Sequence, residues 1–284
     1  MPFKMWDGRK LLLATVVFTS LFYRLAAQET KLLDMAENAV DALYSNCHKE
    51  TKEKLINSGI LEKELNQSQG FKKAWNSKPQ CAQQMPGGIK EERLALLAYV
   101  NGDGDFLKTF NNEVETMGVN VSTYENQFHF KSLHFLLMHS MKTNKCKTGY
   151  FLAEQQYKAN VGSKVRLGQF KKVEADFSSF KKFEDLDEKL VFNITSCFFV
   201  NMNDNNCTKD IVSALLLSPA EVFTVESVND KDEKAEGIKY REIVLQHSKV
   251  ESHHDCYISR SPADVSNQWL VLVLVALSLF FLNC

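Results

Sequence analysis

Apolar positions recur at helical spacing through the first half of this chain and alternate with polar ones through most of the second. In Leu32–Tyr44 the residues Leu32, Met35, Ala36, Ala39, Val40 and Leu43 share one helical face, which predicts a helix. Glu50–Leu65 predicts another, interrupted near Ser58-Gly59. Asn66–Gly88 reads as loop, with Pro79, Pro86 and Gly87-Gly88 as breakers. Glu91–Val100 is a strong short helix with acids at its start, where the helix dipole favours them, and a turn follows over Asn101–Gly104. Phe106–Met117 and Tyr124–Met141 are expected to be helical too, the latter aromatic-rich and buried over most of its circumference.

From Cys146 the pattern changes. Cys146–Ala153, Lys164–Phe170, Leu190–Val200, Glu221–Val228, Ile238–His247 and Asp255–Ser259 read as strands, and Ser178–Lys189 as a charged connection. Val161–Phe170 (VGSKVRLGQF) stands where the helical half gives way to the extended half. Gly162 and Gly168 bracket an alternation of Val165 and Leu167 with Lys164 and Arg166, which suits a half-buried strand between tight turns. No stretch is rich enough in Pro, Gly or Ser to separate two domains. The expectation is one α+β domain, a helical N-terminal half packed on a β-sheet C-terminal half.

The ends read as processing signals. Residues 1–27 have a basic start, an apolar run over Leu11–Tyr23 and small residues at Ala26-Ala27, as a secretory signal peptide does. Residues 261–284 carry a polar spacer and an apolar tail with no basic residue after it, the pattern of a GPI-attachment signal. The folded domain would then span 28–260, on the extracellular face of the plasma membrane. The formal net charge of −1 argues against bulk attraction to nucleic acid. The pairs Lys171-Lys172 and Lys181-Lys182 lie among acids and read as solvated surface.

Of the seven cysteines, Cys284 would leave with the tail. That leaves Cys47, Cys81, Cys146, Cys197, Cys207 and Cys256 to pair in an oxidising compartment, and spacing does not choose the pairing. Sequons for N-glycosylation begin at Asn66, Asn120, Asn193 and Asn206. His129, His134 and His139 recur in steps that turn about 140° on a helix, so their rings splay and no metal site is expected. His253-His254 carry no metal-binding spacing either.

Four blocks carry a resemblance: LDMAENAVDALYSNC (Leu33–Cys47), YENQFHFKSLHFLL (Tyr124–Leu137), VGSKVRLGQF and SPAEVFTV (Ser218–Val225). In order and spacing they resemble the vertebrate GPI-anchored ecto-ADP-ribosyltransferases. That resemblance implies transfer of ADP-ribose from NAD to protein arginine, with an acceptor protein that stays unknown. It also implies the disulfides Cys47–Cys256 and Cys146–Cys197, leaving Cys81 with Cys207.

The chemistry wants an arginine for a pyrophosphate and carboxylates for a ribose that becomes cationic. The positions where the family carries its arginine, serine and catalytic glutamate are here Phe151, Lys172 and Ala214, and the companion acid is Val212. Ile211–Ala220 contains no acid, so a cleft without a carboxylate is expected. Arg166 and Gln169 survive in the matching block as candidates for NAD contact, each equally suited to a strand's exposed edge. The resulting expectation is a family member with lost or strongly reduced transferase activity. The alternatives are an active NAD–protein-arginine ADP-ribosyltransferase and a non-enzymatic surface binding protein.

Overall fold

The computed structural model describes residues 30–84, 88–202, 214–234 and 236–259. The calls on the signal peptide, the GPI signal, Asn206, Cys207 and Val212 lie outside them.

The helical half begins with a short strand, β1 (Lys31–Leu32), and then a long segment without regular structure. Its helices are α1 (His48–Lys52), continued by a wider turn over Glu53–Asn57, α2 (Ile60–Gln67), α3 (Gln69–Trp75), α4 (Pro79–Gln84), α5 (Lys90–Asn101), α6 (Gly104–Thr116), α7 (Val121–Gln127) and α8 (Lys131–Ser140). Their apolar faces meet in an aromatic core of Phe71, Phe106, Phe110, Phe130 and Phe170, with Phe71 and Phe106 stacked at 5.6 Å.

The β half holds β2 (Lys142–Leu152), β3 (Tyr157–Lys158), β4 (Lys164–Val165), β5 (Lys171–Glu174), α9 (Phe177–Phe183), β6 (Leu190–Asn201), β7 (Ala214–Leu217), β8 (Glu221–Glu233) and β9 (Ile238–Val250). β1 and β3 pair in parallel. The other strands form one sheet in the order β2-β5-β7-β6-β9-β8-β4, with β2 also pairing β6. The pairing of β6 with β9 is parallel. One part of the sheet buries Phe192, Ile194, Phe223, Ile243 and Leu245 in a core of its own. α9 covers another cluster, packing Phe180 with Tyr150, Val191 and Tyr240. The architecture is a helical region packed against a β-sheet.

Several local expectations give way to tertiary contacts. Leu32–Tyr44 is not a helix. Its backbone donors are claimed from elsewhere in the chain: Val40 N–H bonds to the Val114 carbonyl at 2.7 Å and Tyr44 N–H to Asp255 at 2.6 Å. Ala36 and Tyr44 have φ of 46° and 58°, outside the helical region. Gly118 fits beneath this segment because a side chain there would run into the Ala39 carbonyl.

Asn66–Gly88 contains α3 and α4 rather than only loop, α3 being capped by Ser68, which accepts from Phe71 N–H. Tyr124–Met141 is broken at Phe128–Phe130, since carboxylates from other helices take the freed donors. Glu113 accepts from His129 N–H at 2.7 Å, and Glu64 from Lys131 N–H at 2.9 Å and Ser132 N–H at 3.0 Å. Only Lys164–Val165 of Lys164–Phe170 is strand, before Gly168 turns at φ +71°. Asp255–Ser259 holds a single tight turn at Tyr257–Ser259 instead of a strand. Ser178–Lys189 includes most of α9.

Disulfides tie the ends and the sheet. Cys47 bonds Cys256 across the two ends of the described chain, and Cys146 bonds Cys197 between β2 and β6. Cys81 is disulfide-bonded as well.

Candidate functional site

Between the two halves lies a cleft of about 1430 Å³. One wall comes from β1, the segment after it, and α6. The other comes from Phe151, Tyr157, Gln169, Lys171, Lys172 and Phe192. Strand alternation places Lys171. Lys171 and Val173 share one face of β5, and Val173 is buried there beside Phe192, which directs Lys171 to the same side.

Phe151 lies opposite Phe192 in the β2–β6 pairing, and the rings stack at 4.8 Å and 10°. Tyr157 meets Phe192 edge-on at 5.5 Å. The Lys171 ammonium stands over the Phe151 ring, 5.1 Å from its centroid, and donates to Glu154 at 2.6 Å. The hydrogen bond and charge of Lys171 lower the Glu154 carboxyl below its ordinary range.

The expected acid-free cleft is corrected here: Asp34, Glu37, Glu115 and Glu154 all line it. Asp34 and Glu37 belong to the irregular segment after β1, Glu115 to α6, and Glu154 to the turn after β2. Glu115 is ion-paired with Lys31, as Glu154 is with Lys171. Asp34 accepts from Ala36 N–H at 2.8 Å. None of these acids comes from the Ile211–Ala220 stretch.

The structure brings Phe151, Lys172 and Gln169 to one cleft but leaves Ala214 out of it. Ala214 is fully buried in the core shared with the helices, packed in β7 opposite Glu174. Lys171 and Lys172, read as solvated surface, line the cleft. Lys171 was legible only as half of a charge pair; its aromatic seat depends on three strands meeting.

The exposed-edge expectation for Arg166 is also corrected. Its side chain is 1% exposed and donates to Asp41, which is 0% exposed, and to the Glu251 carbonyl at 2.9 Å. Asp41 further accepts from His253 N–H at 2.8 Å and His254 N–H at 3.0 Å. Burial raises the Asp41 carboxyl, but the bonds from His254 and His253 and the charge of Arg166 outweigh it and hold it at about 2. The arginine therefore knots the two ends of the domain together; it borders the cleft, but its head group is spent on Asp41 and the Glu251 carbonyl.

The histidines have structural partners. His134 is buried between the Tyr44 hydroxyl at 2.9 Å and the Val40 carbonyl at 2.8 Å, and burial pulls it down to about 4. His139 bonds Glu92 at 2.6 Å. Among the described residues, Cys47, Asp255 and Cys256 come close enough to suggest a metal, but both sulfurs are spent in the disulfide. Of the sequon asparagines, Asn120 caps α7, Asn66 accepts from Lys72, and Asn193 donates to Glu242 at 3.1 Å within the sheet.

Comparison with known proteins fits this arrangement. A family model described as NAD:arginine ADP-ribosyltransferase matches residues 33–248. Ecto-ADP-ribosyltransferase 3 of Mus musculus is 28% identical over 232 residues, covering 75% of this chain and 60% of the relative, so the chain spans less than two thirds of that protein. The erythroblast NAD(P)(+)–arginine ADP-ribosyltransferase of Gallus gallus is 26% identical over 221 residues, covering 68% of this chain and 67% of the relative. The solved structure of the mono-ADP-ribosyltransferase ART2.2, as a glutamate-to-alanine mutant with NADH, has a TM-score of 0.64 at 24% identity, covering 80% of this chain and 98% of that one. That likeness establishes the shared fold.

Proposed function

The chain belongs to the NAD:arginine ADP-ribosyltransferase family, and from that premise we propose that it is a cell-surface member with lost or strongly reduced transferase activity. The observation that carries this reading is the state of the substituted positions. Ala214 offers a methyl group inside a packed core, and Phe151 is committed to Phe192 and Lys171. Stabilising a developing sugar cation takes a fixed carboxylate beside it, and removing one such group typically lowers rates about 10²–10³-fold. Of the carboxylates lining the cleft, Glu154 and Glu115 already have ammonium partners.

Holding a dinucleotide is a separate matter from turning it over. The cleft volume of about 1430 Å³ exceeds that of ordinary ligand pockets. Lys108 and Lys172 line it and have no ion pair among the described residues, and Asn111 Oδ1 is a buried acceptor without a donor. The two ammonium groups fit a phosphate-bearing ligand and the Asn111 oxygen a hydroxyl or amide donor on it, and NAD bound there would supply the glycosidic bond that relatives cleave. Solved structures of ART2.2 with a glutamate replaced are complexes with NADH or NAD.

The same reading makes residues 28–260 the mature domain, GPI-anchored and glycosylated at Asn66, Asn120, Asn193 and Asn206, with an unidentified protein partner. Its disulfides suit a chain folded in an oxidising compartment. Among the described residues no helix is long and apolar enough to cross a membrane.

The test is incorporation of labelled ADP-ribose into an arginine-rich acceptor by the full chain displayed on cultured cells. Incorporation indistinguishable from a heat-killed control is expected, and transfer or NAD hydrolysis above that control overturns the reading. Thermal stabilisation that grows with NAD concentration separates retained binding from an empty scaffold.

A further inference from the structure

Cys146 is the exposed cysteine among the described residues, whereas Cys47 and Cys197 are buried and Cys81 and Cys256 half-buried. Its exposure comes from a bulge. β2 and β6 pair at Thr143 with Phe198 and again at Lys147 with Ser196, so Asn144, Lys145 and Cys146 stand opposite Cys197 alone. The extra chain carries Cys146 outward, while Cys197, 6% exposed, stays in the sheet. Asn144 fastens the bulge independently of the disulfide: its amide donates to the Lys142 carbonyl at 2.8 Å and to the Phe199 carbonyl at 3.1 Å.

The surroundings of this sulfur are cationic. The stretch from Lys142 to Ala153 holds Lys142, Lys145 and Lys147 and no acid. All three lysines are exposed and have no ion pair among the described residues, and Lys147 stands over the Phe199 ring, 5.9 Å from its centroid. Lysines on a strand also deter pairing with a foreign sheet. An open disulfide among them adds chemistry to that role.

We propose that Cys146 is a thiol-exchange site, which takes small anionic thiols of the glutathione class into a mixed disulfide. The incoming thiolate attacks Sγ of Cys146, and a bond forms between those two sulfurs. The Cys146–Cys197 bond breaks, and its electron pair leaves on Cys197, whose buried sulfur takes a proton from water. One disulfide replaces another, so no oxidant or reductant is consumed. Access selects the sulfur, since burial shields Cys197 from attack. Charge selects the thiol, since unpaired ammonium groups raise the local concentration of anions. The strand survives the exchange, because β2 remains paired with β6 on both sides of the bulge. The site lies outside the cleft and does not depend on ADP-ribose transfer.

The experiment uses the full chain purified in detergent and two thiols, anionic glutathione and cationic cysteamine, at matched thiolate concentrations. N-ethylmaleimide traps freed thiols, and peptide mass spectrometry locates both labels. Glutathione is expected on Cys146 and the maleimide on Cys197. The glutathione-to-cysteamine rate ratio is expected to fall about tenfold in the triple variant Lys142→Gln, Lys145→Gln, Lys147→Gln, in line with electrostatic steering. Comparing each thiol with itself in the two proteins removes its intrinsic reactivity. Glutathione found on Cys197, a Cys146–Cys197 bridge that resists both thiols in the folded chain, or a ratio unchanged by the substitutions overturns the proposal. Should the triple variant not fold, the native chain decides through salt. Raising the ionic strength from about 0.01 M to about 1 M shortens the screening length from about 30 Å to about 3 Å, and the preference for glutathione should shrink with it. A preference indifferent to salt overturns the proposal as well.

Discussion

Arg166 and Lys171 lie on one short stretch of chain, and each is paired with a carboxylate, yet they do opposite things. Arg166 and Asp41 are 1% and 0% exposed, and further donors from His253 and His254 complete the carboxylate's bonding. Lys171 and Glu154 are 18% and 77% exposed at the edge of a cleft. A buried pair is held by the cost of leaving one charge alone, whereas an exposed pair gains little and exchanges partners readily. The comparison teaches where function can reside: the sealed pair is architecture, and the open pair is available to a ligand.

The sharpest way to break that contrast is to remove the sealed cation. Arg166→Met leaves Asp41 buried without its main counter-charge and is expected to cost about 3–5 kcal/mol. The melting temperature should fall on the order of 10 °C, given about 2–4 °C per kcal/mol for a domain of this size. A melt within a degree or two of the native protein would show that the backbone donors alone satisfy Asp41.

A smaller effect comes from Glu64, the buried cap of α8, which burial pushes up to about 7. Its folded value lies above the ordinary 4.5, so the folded state holds the proton more tightly than the unfolded one. Stability from this group is therefore fully present below about 4.5 and is lost as pH rises towards 7, by on the order of 2–3 kcal/mol. His134 works against it: its folded value of about 4 lies below the ordinary 6.5, so its contribution is lost as pH falls through that window. Glu64→Gln should remove the first trend and leave stability rising with pH between about 4 and 6.5, as read by denaturant unfolding across pH. An unchanged pH profile would place the titrating group elsewhere.

The smallest effect belongs to the open pair. Glu154→Gln is expected to change stability by under about 1 kcal/mol, because the carboxylate is largely solvated. The same substitution should raise the exposure of Lys171 to acylating reagents, since the ammonium loses its anchor. A destabilisation like that of Arg166→Met would erase the distinction between the pairs.

Much of this molecule was legible beforehand. The short helix near Glu91–Val100, the helix near Phe106–Met117 and the long strands from Leu190, Glu221 and Ile238 all appear, because each has a periodic apolar face. Leu32–Tyr44 misled for the opposite reason. Its helical spacing is genuine, but Val114, Asp255 and the partners of Asp41 supply bonds that an isolated segment cannot foresee. At the site, Phe151, Lys172 and Gln169 could be named from the sequence and line one cleft, whereas Glu154, Glu115 and Asp34 went unseen. Acids spread over separate elements carry no spacing signal.

Sequence by itself determined the division into helical and extended halves and the side chains at Phe151, Lys172 and Ala214, since patterning and residue identity are local properties. Only the tertiary structure decided that Arg166 turns inward to Asp41, that Ala214 is sealed in a core, and that Lys171 rests on Phe151. Those outcomes depend on which distant groups arrive at the same place, and the worth of a charge is set by what surrounds it.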